Sequence, residues 1–252
     1  MTSVHPETGD QGPGVSEAAP ITVACLDLAG TTVVDGDAVR TAFAEAIAAL
    51  GIVSGTAAYD RALARFVDSR GTSKLGVFRS LFDEARAQAA NLAFQRSYDD
   101  LIDRRGLEPV PGAADALLRI RAAGVRVCLF TGFGRNTQAR IVDTLNWWDR
   151  VDLTLCPEDV PRDRPWPDLL LTAALRLGVD DVRHIAVCGD TANAMLSGRR
   201  SGASIVAGVL TGAHDRARLV AAGATHVLPS VAALPALILP APVADTVTAD
   251  HG

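Results

Sequence analysis

Ile21-Thr22-Val23-Ala24-Cys25-Leu26-Asp27-Leu28-Ala29-Gly30-Thr31-Thr32 is the stretch on which the fold turns. Its first eight residues are apolar or β-branched except for Asp27, and a Gly-Thr-Thr turn closes the run. A short unbroken apolar run between turn residues reads as a strand buried on both faces. Similar runs recur at 125–130, 151–155, 184–188, 204–210 and 225–228. Helical patterning fills the gaps at 113–123, 135–145, 168–177, 193–201 and 215–222. Strand–helix alternation predicts an α/β fold, a doubly wound parallel sheet with helices on both faces.

One stretch breaks the alternation. From 37 to 105 the patterning is helical only, at 38–50, 56–69, 75–84 and 85–104, punctuated by Gly51, Gly55, Gly71 and Gly106. This predicts an inserted α-helical cap over residues 37–106, set on a core of residues 20–36 and 107–239. Residues 1–19, rich in Gly, Pro, Ser and acids, and 240–252 read as disordered tails.

Composition narrows the function. Of the 252 residues 48% are hydrophobic and 21% charged, which suits a chain with a sizeable core. A net charge of −5, with no basic block, argues against nucleic-acid or anionic-membrane binding. No apolar run reaches the roughly 18 residues of a transmembrane helix. The first twenty residues lack the basic start and apolar core of a signal peptide, so a cytoplasmic location is expected. Cys25, Cys128, Cys156 and Cys188 lack metal-ligand spacing and read as reduced, buried thiols. No histidine pair has ligand spacing either. Among 24 Lys and Arg residues there is a single lysine, Lys74. A lysine, unlike an arginine, can lose its proton and attack a carbonyl.

The strand ends carry the chemistry. The first ends on Asp27, the second on Thr131-Gly132, the fourth on Gly189-Asp190-Thr191. An open parallel sheet binds ligands beyond the carboxyl ends of its strands, near the switch in strand order. Two carboxylates and a hydroxyl are therefore expected in one crevice.

This constellation resembles the haloacid dehalogenase superfamily, mostly phosphotransferases and phosphatases, over about residues 21–234. Asp27 matches the nucleophile of that family's first motif and Thr131 the hydroxyl of its second. Arg164, in Arg164-Pro165-Trp166-Pro167-Asp168, matches the cation of the third, and Asp190 the first acid of the fourth. The helical block sits where the family inserts a cap. The resemblance implies Mg²⁺ held by Asp27, the backbone carbonyl of Ala29 and Asp190. It also implies a small phosphonate or phosphate ester as substrate and a possible homodimer through the cap. A carboxylate nucleophile and a phosphoryl group repel each other, and a divalent cation offsets that repulsion. Thr131 and Arg164 would hold the transferring oxygens.

Departures from the common pattern are informative. Ala29 stands where phosphatases of the superfamily carry the acid that protonates a leaving alkoxide. Asp-x-Ala-Gly-Thr resembles the phosphonoacetaldehyde hydrolase branch, whose carbanion leaving group is stabilised by a cap lysine's Schiff base. Lys74, in Arg70-Gly71-Thr72-Ser73-Lys74, matches that lysine, with Gly71 allowing close approach of the loop. Arg70, Gly71 and Gly132 are the expected substrate-binding residues. The segment from Thr211 to Asp215 is also similar to this branch, with His214 read as structural. Against the branch pattern, Arg70 replaces a Met and Val77 a proton-transferring His. Arg70 could bind an anionic group or lower the pKa of Lys74. Ala194 replaces the second acid of the fourth motif, which implies weaker metal binding. Three readings stay open: a phosphonatase-like hydrolase, a phosphomonoesterase with the same nucleophile, and a weakly active phosphoryl-ligand-binding protein. Trp147-Trp148 should close a core helix or line the seam between sheet and cap.

Overall fold

The computed structural model describes residues 19–240. The expected disordered tails fall on 1–18 and 241–252, outside the described residues, with Ala19 and Pro240 in irregular backbone. Six parallel strands form one sheet: β1 (Val23–Asp27), β2 (Arg126–Phe130), β3 (Leu153–Leu155), β4 (Ile185–Gly189), β5 (Ile205–Val209) and β6 (His226–Leu228). Their order is β3-β2-β1-β4-β5-β6. The order reverses between β1 and β4, so Asp27 and Asp190 leave the sheet on either side of the switch point.

Each of the six apolar runs is a strand. β1 and β4 are buried at every residue, as expected of strands covered on both faces. The faces carry separate cores. One gathers Leu26, Leu129, Ile120 and Val127; the other gathers Cys25, Phe130, Leu169 and Val187. All four cysteines are buried and free. Cys25 and Cys128 lie in register on adjacent strands.

Four helices lie between β1 and the next sheet-side helix: α1 (Ala38–Ala48), α2 (Ala57–Asp68), α3 (Lys74–Arg79) and α4 (Glu84–Arg105). The third is shorter than the patterning suggests. It stops at Arg79, and Asp83 then accepts the Arg86 N–H as the N-cap of α4. An acidic N-cap followed by Glu84 favours a new helix over a continued one. These helices share an aromatic core. Phe43 stacks on Phe66 at 4.5 Å and on Phe78 at 5.3 Å, and Phe94 and Tyr98 extend the row to Phe133. Phe133 belongs to the loop after β2, so the row joins the helical insert to the sheet.

The chain then runs through α5 (Ala113–Ala122), α6 (Arg135–Thr144), α7 (Asp168–Arg176), α8 (Ala192–Ser201), α9 (Arg216–Ala221) and α10 (Leu234–Ile238). Trp147 is buried beyond the end of α6, whereas Trp148 is half exposed and donates its indole N–H to Asp143. The pair therefore splits: one closes the helix, the other faces out and lines no seam. No helix among the described residues is long and apolar enough to cross a membrane.

Candidate active site

Every candidate site residue borders one small inner cavity of about 30 Å³. Asp27, Ala29, Arg70, Gly71, Lys74, Thr131, Gly132, Arg164 and Asp190 all line it. That volume has room for little more than a water molecule or two.

Asp27 ends β1 and is held at both oxygens. Its Oδ1 accepts the Leu28 N–H at 2.9 Å, and its Oδ2 is ion-paired with Arg164. Arg164 is 3% exposed and lies over the Phe130 ring at 5.1 Å, so its charge is directed at Asp27 and not at solvent. Thr32 ties the turn back to the strand, donating its hydroxyl to the Asp27 carbonyl at 2.9 Å. Thr131 is buried, its Oγ1 accepting the Phe133 N–H at 3.2 Å.

Asp190 faces Asp27 across the switch point. Its Oδ2 accepts the Ala213 N–H at 2.8 Å, and Thr31 donates to its Oδ1 at 3.3 Å. A Cβ on Gly212 would stand 2.1 Å from Oδ2, and one on Gly30 2.5 Å from it, so the carboxylate occupies a cradle only glycines permit. Burial, and then the Asp27 charge, raise its pKa. The two buried carboxylates form an oxygen-only donor pair. Among the described residues no cluster of three or more His, Cys, Asp or Glu could hold a metal ion. An ion here would therefore need backbone oxygen and water as well. Ala194 is fully buried and 2.7 Å from where a Cβ on Gly189 would stand, with no room there for a second acid. Asn193, its neighbour, turns to the insert and donates to the Arg70 carbonyl at 2.7 Å. His214 accepts the Ala192 N–H at Nδ1, 2.8 Å away, and steadies the start of α8; burial lowers its pKa to about 4.

The loop 70–74 brings the insert onto the strand ends. Gly71 has φ +87°, and a Cβ there would lie 2.3 Å from Thr191 Oγ1. A Cβ on Gly132 would lie 2.6 Å from the Thr72 carbonyl oxygen. The Lys74 N–H donates to the Gly132 carbonyl at 3.3 Å. Both glycines are thus required by close approach. Ser73 accepts the Gly76 N–H and caps α3, which makes Lys74 its first residue. The Lys74 amine lies 5.2 Å from the centre of the Phe133 ring and 5.9 Å from that of Phe94. Desolvation by the surrounding protein lowers its pKa to about 8, partly opposed by Asp35 and assisted by Arg164 and Arg70. Arg70 is therefore only a minor cause. It pairs with Asp35 at 2.8 Å and lies over Phe66 at 5.1 Å, so it is no solvated arginine.

Sequence reasoning missed two acids. Asp35 lines the inner cavity, and its Oδ1 is buried without a partner. Asp163, beside Arg164, accepts the Ser73 N–H and borders a neighbouring outer cavity of about 760 Å³. Asp35 sits in Asp35-Gly36-Asp37, which reads as an ordinary turn. Asp163 adjoins a motif residue, the one signal that could have found it. Lys74, Gly132 and Arg164 line both cavities, so the outer one opens onto the site.

Several known proteins are similar to this chain in sequence or in fold. Curated relatives named phosphonoacetaldehyde hydrolase include one from Bacillus cereus, 29% identical over 140 residues, which are 55% of this chain and 52% of that protein. Another, from Pseudomonas fluorescens (strain SBW25), is 32% identical over 99 residues, 39% of this chain and 36% of that protein. The matched stretches thus span about half or less of these relatives' length. A hydrolase from Pseudomonas syringae has a similar solved structure, with TM-score 0.75 and 25% identity over 86% of this chain and 97% of that one. A phosphonoacetaldehyde hydrolase like protein from Oleispira antarctica shares the fold at TM-score 0.75 and 24% identity, over 93% and 95% of the two chains. The haloacid dehalogenase-like hydrolase model matches residues 21–202, and with that match over most of its length the chain belongs to the haloacid dehalogenase-like hydrolase family.

Proposed function

We propose that the protein is a phosphonatase-like hydrolase that transfers a phosphoryl group from a small carbonyl-bearing phosphonate to Asp27. The observation that carries this reading is the position of Lys74. The chain's one lysine shares a cavity with the nucleophile and holds its proton loosely, at a pKa of about 8. A neutral amine attacks the substrate carbonyl, and the resulting iminium accepts the electron pair of the breaking P–C bond. Asp27 receives the phosphoryl group, and water then cleaves the aspartyl-phosphate. Arg164 and Thr131 bind the phosphoryl oxygens, where preorganised donors stabilise charge best. Such chemistry has no use for an acid at Ala29, because no alkoxide leaves.

The donor set suits Mg²⁺, which prefers oxygen ligands and retains waters. Asp27, Asp190 and the Ala29 carbonyl would hold it, and it would supply neutralising charge between nucleophile and phosphoryl group. A second reading, a phosphomonoesterase with the same nucleophile, is favoured by one observation. The outer cavity is far larger than a two-carbon aldehyde requires. Incubation with phosphonoacetaldehyde and borohydride separates the two. An inactivating adduct on Lys74, located by peptide mass, supports the phosphonatase reading. Phosphate release from monoesters with no adduct supports the other. Retained turnover in Asp27→Asn overturns both.

A further inference from the structure

Among the described acids outside the family motifs, Asp35 is the one that lines the inner cavity. It follows the β1 turn and lines the inner cavity together with Asp27 and Lys74. One oxygen, Oδ2, is fixed by the Arg70 guanidinium at 2.8 Å. The other, Oδ1, is buried and has no hydrogen-bond partner. A buried carboxylate oxygen without a partner is costly, and such orphans call for an explanation. The site also lacks proton donors in two places. Ala29 has none to give, and Val77 is an apolar core residue. Chemistry between an amine and a carbonyl needs a proton nonetheless.

We propose that Asp35 is the acid–base residue for the carbonyl chemistry at Lys74, a step that rests on the Schiff-base reading above. Attack of the neutral Lys74 amine on the aldehyde gives a carbinolamine. The Asp35 carboxyl then donates its proton to the carbinolamine hydroxyl. The C–O bond breaks, water leaves, and the nitrogen lone pair forms the C=N bond. Asp35 is left as a carboxylate. After P–C cleavage the enamine takes a proton from water at carbon. Hydrolysis of the iminium then runs the dehydration in reverse and returns the proton to Asp35.

Further observations agree. Asp35 is the charge that acts most strongly on the Lys74 ammonium, ahead of Asp27. Its own pKa is raised, because burial outweighs the opposing effects of Arg70 and Lys74, so a protonated form is accessible. Tyr98 and Asp190 are the other titratable groups that feel its charge. Asp163 is the competing candidate, with its Oδ2 held by the Ser73 N–H and its Oδ1 likewise buried without a partner, but it borders the outer cavity and not the inner one that Asp27 and Lys74 share. It positions the lysine's backbone instead.

The test times borohydride trapping of phosphonoacetaldehyde on Lys74 in the full chain. Asp35→Asn keeps an oxygen for Arg70 but cannot cycle a proton. Adduct formation should slow by about 10²–10⁴-fold, the usual worth of general acid–base catalysis. In Asp35→Ala, added formate should restore part of the trapping rate while leaving the wild-type rate unchanged. A purely structural role for Asp35 would not respond to formate. Trapping in Asp35→Asn within a few-fold of wild type overturns the proposal, as does failure of formate to rescue a folded Asp35→Ala. Should the amide variant fail to fold, the alanine variant with and without formate decides alone. Absence of any adduct in the wild-type chain overturns the Lys74 reading, and this proposal with it. An adduct in wild type with no effect of Asp35 overturns this proposal only.

Discussion

Lys74 concentrates the residue-scale argument. Its amine is pressed between aromatic rings and away from bulk water, and desolvation disfavours the charged form. Arg164 and Arg70 add repulsion, while Asp35 and Asp27 partly restore the charge. The net effect brings the pKa down from 10.5 to about 8. Adduct trapping should therefore climb with pH as Lys74 loses its proton and fall again where Asp35 loses the proton it donates, and a flat profile from pH 6 to 10 would contradict the shift. The same shift has a thermodynamic sign. The unfolded chain binds this proton more tightly, so between about pH 8 and 10.5 the unfolded state carries more protons and stability rises with pH. Below about 8 both states are protonated and the full penalty of the buried charge applies. Lys74→Met removes that penalty and should stabilise the fold at pH 7 by on the order of 1–3 kcal/mol while abolishing trapping. Chemical denaturation of the two proteins checks it.

At the scale of elements, the loop 70–74 matters most, because it meets the strand ends at three points. Gly71 packs on Thr191, the Thr72 carbonyl packs on Gly132, and Ser73 donates to Asp163. Gly71→Ala puts a methyl group 2.3 Å from Thr191 Oγ1 at a φ of +87°. Strain at positive φ and the clash act together, and the loop must lift. Turnover should fall at least about tenfold and stability by about 1–3 kcal/mol. Gly36→Ala is the useful comparison: its φ is also positive, at +47°, but nothing lies within 4 Å of a Cβ there. If both variants lose activity equally, close approach is not what Gly71 provides. These contacts also show what sequence could and could not tell. Asp27, Thr131 and Asp190 were legible because strand ends and turn residues mark them locally. The strands were legible for a related reason: burial on both faces gives β1 and β4 an unbroken apolar run, and the partly buried edge strands β3 and β6 keep a shorter apolar or β-branched one. Asp35 and Asp163 were not, because each looks like a turn acid until another element packs against it. The end of α3 at Arg79 was obscured in the same way. Leu81 and Phe82 continue the helical spacing while the backbone turns to begin α4.

For the molecule as a whole, the sheet supplies two opposed carboxylates and the insert supplies a lysine, so the site exists only where these parts are joined. Asp27 and Asp190 come from strands either side of the switch point, and folding drives their charges together. That repulsion makes metal binding and folding parts of one equilibrium. An ion that binds the folded chain and not the unfolded one stabilises it by RT ln(1 + [L]/Kd), which amounts to about 2.7 kcal/mol at a hundredfold excess over Kd. Magnesium should therefore raise the thermal unfolding midpoint in a concentration-dependent way, and a chelator should reverse the rise. Asp190→Asn relieves the repulsion and removes a donor at once. Without metal it should unfold at the wild-type temperature or above, and with magnesium it should show little further gain. This combination separates the metal account from a structural one. If Asp190 served only to hold the Ala213 and Thr31 turns, its replacement would lower the midpoint in the absence of metal and leave the magnesium response intact. Because the fourth-motif position Ala194 offers no oxygen, the wild-type response should begin only at millimolar magnesium. A response saturating at micromolar ion would mean that oxygens beyond Asp27, Asp190 and the Ala29 carbonyl complete the site.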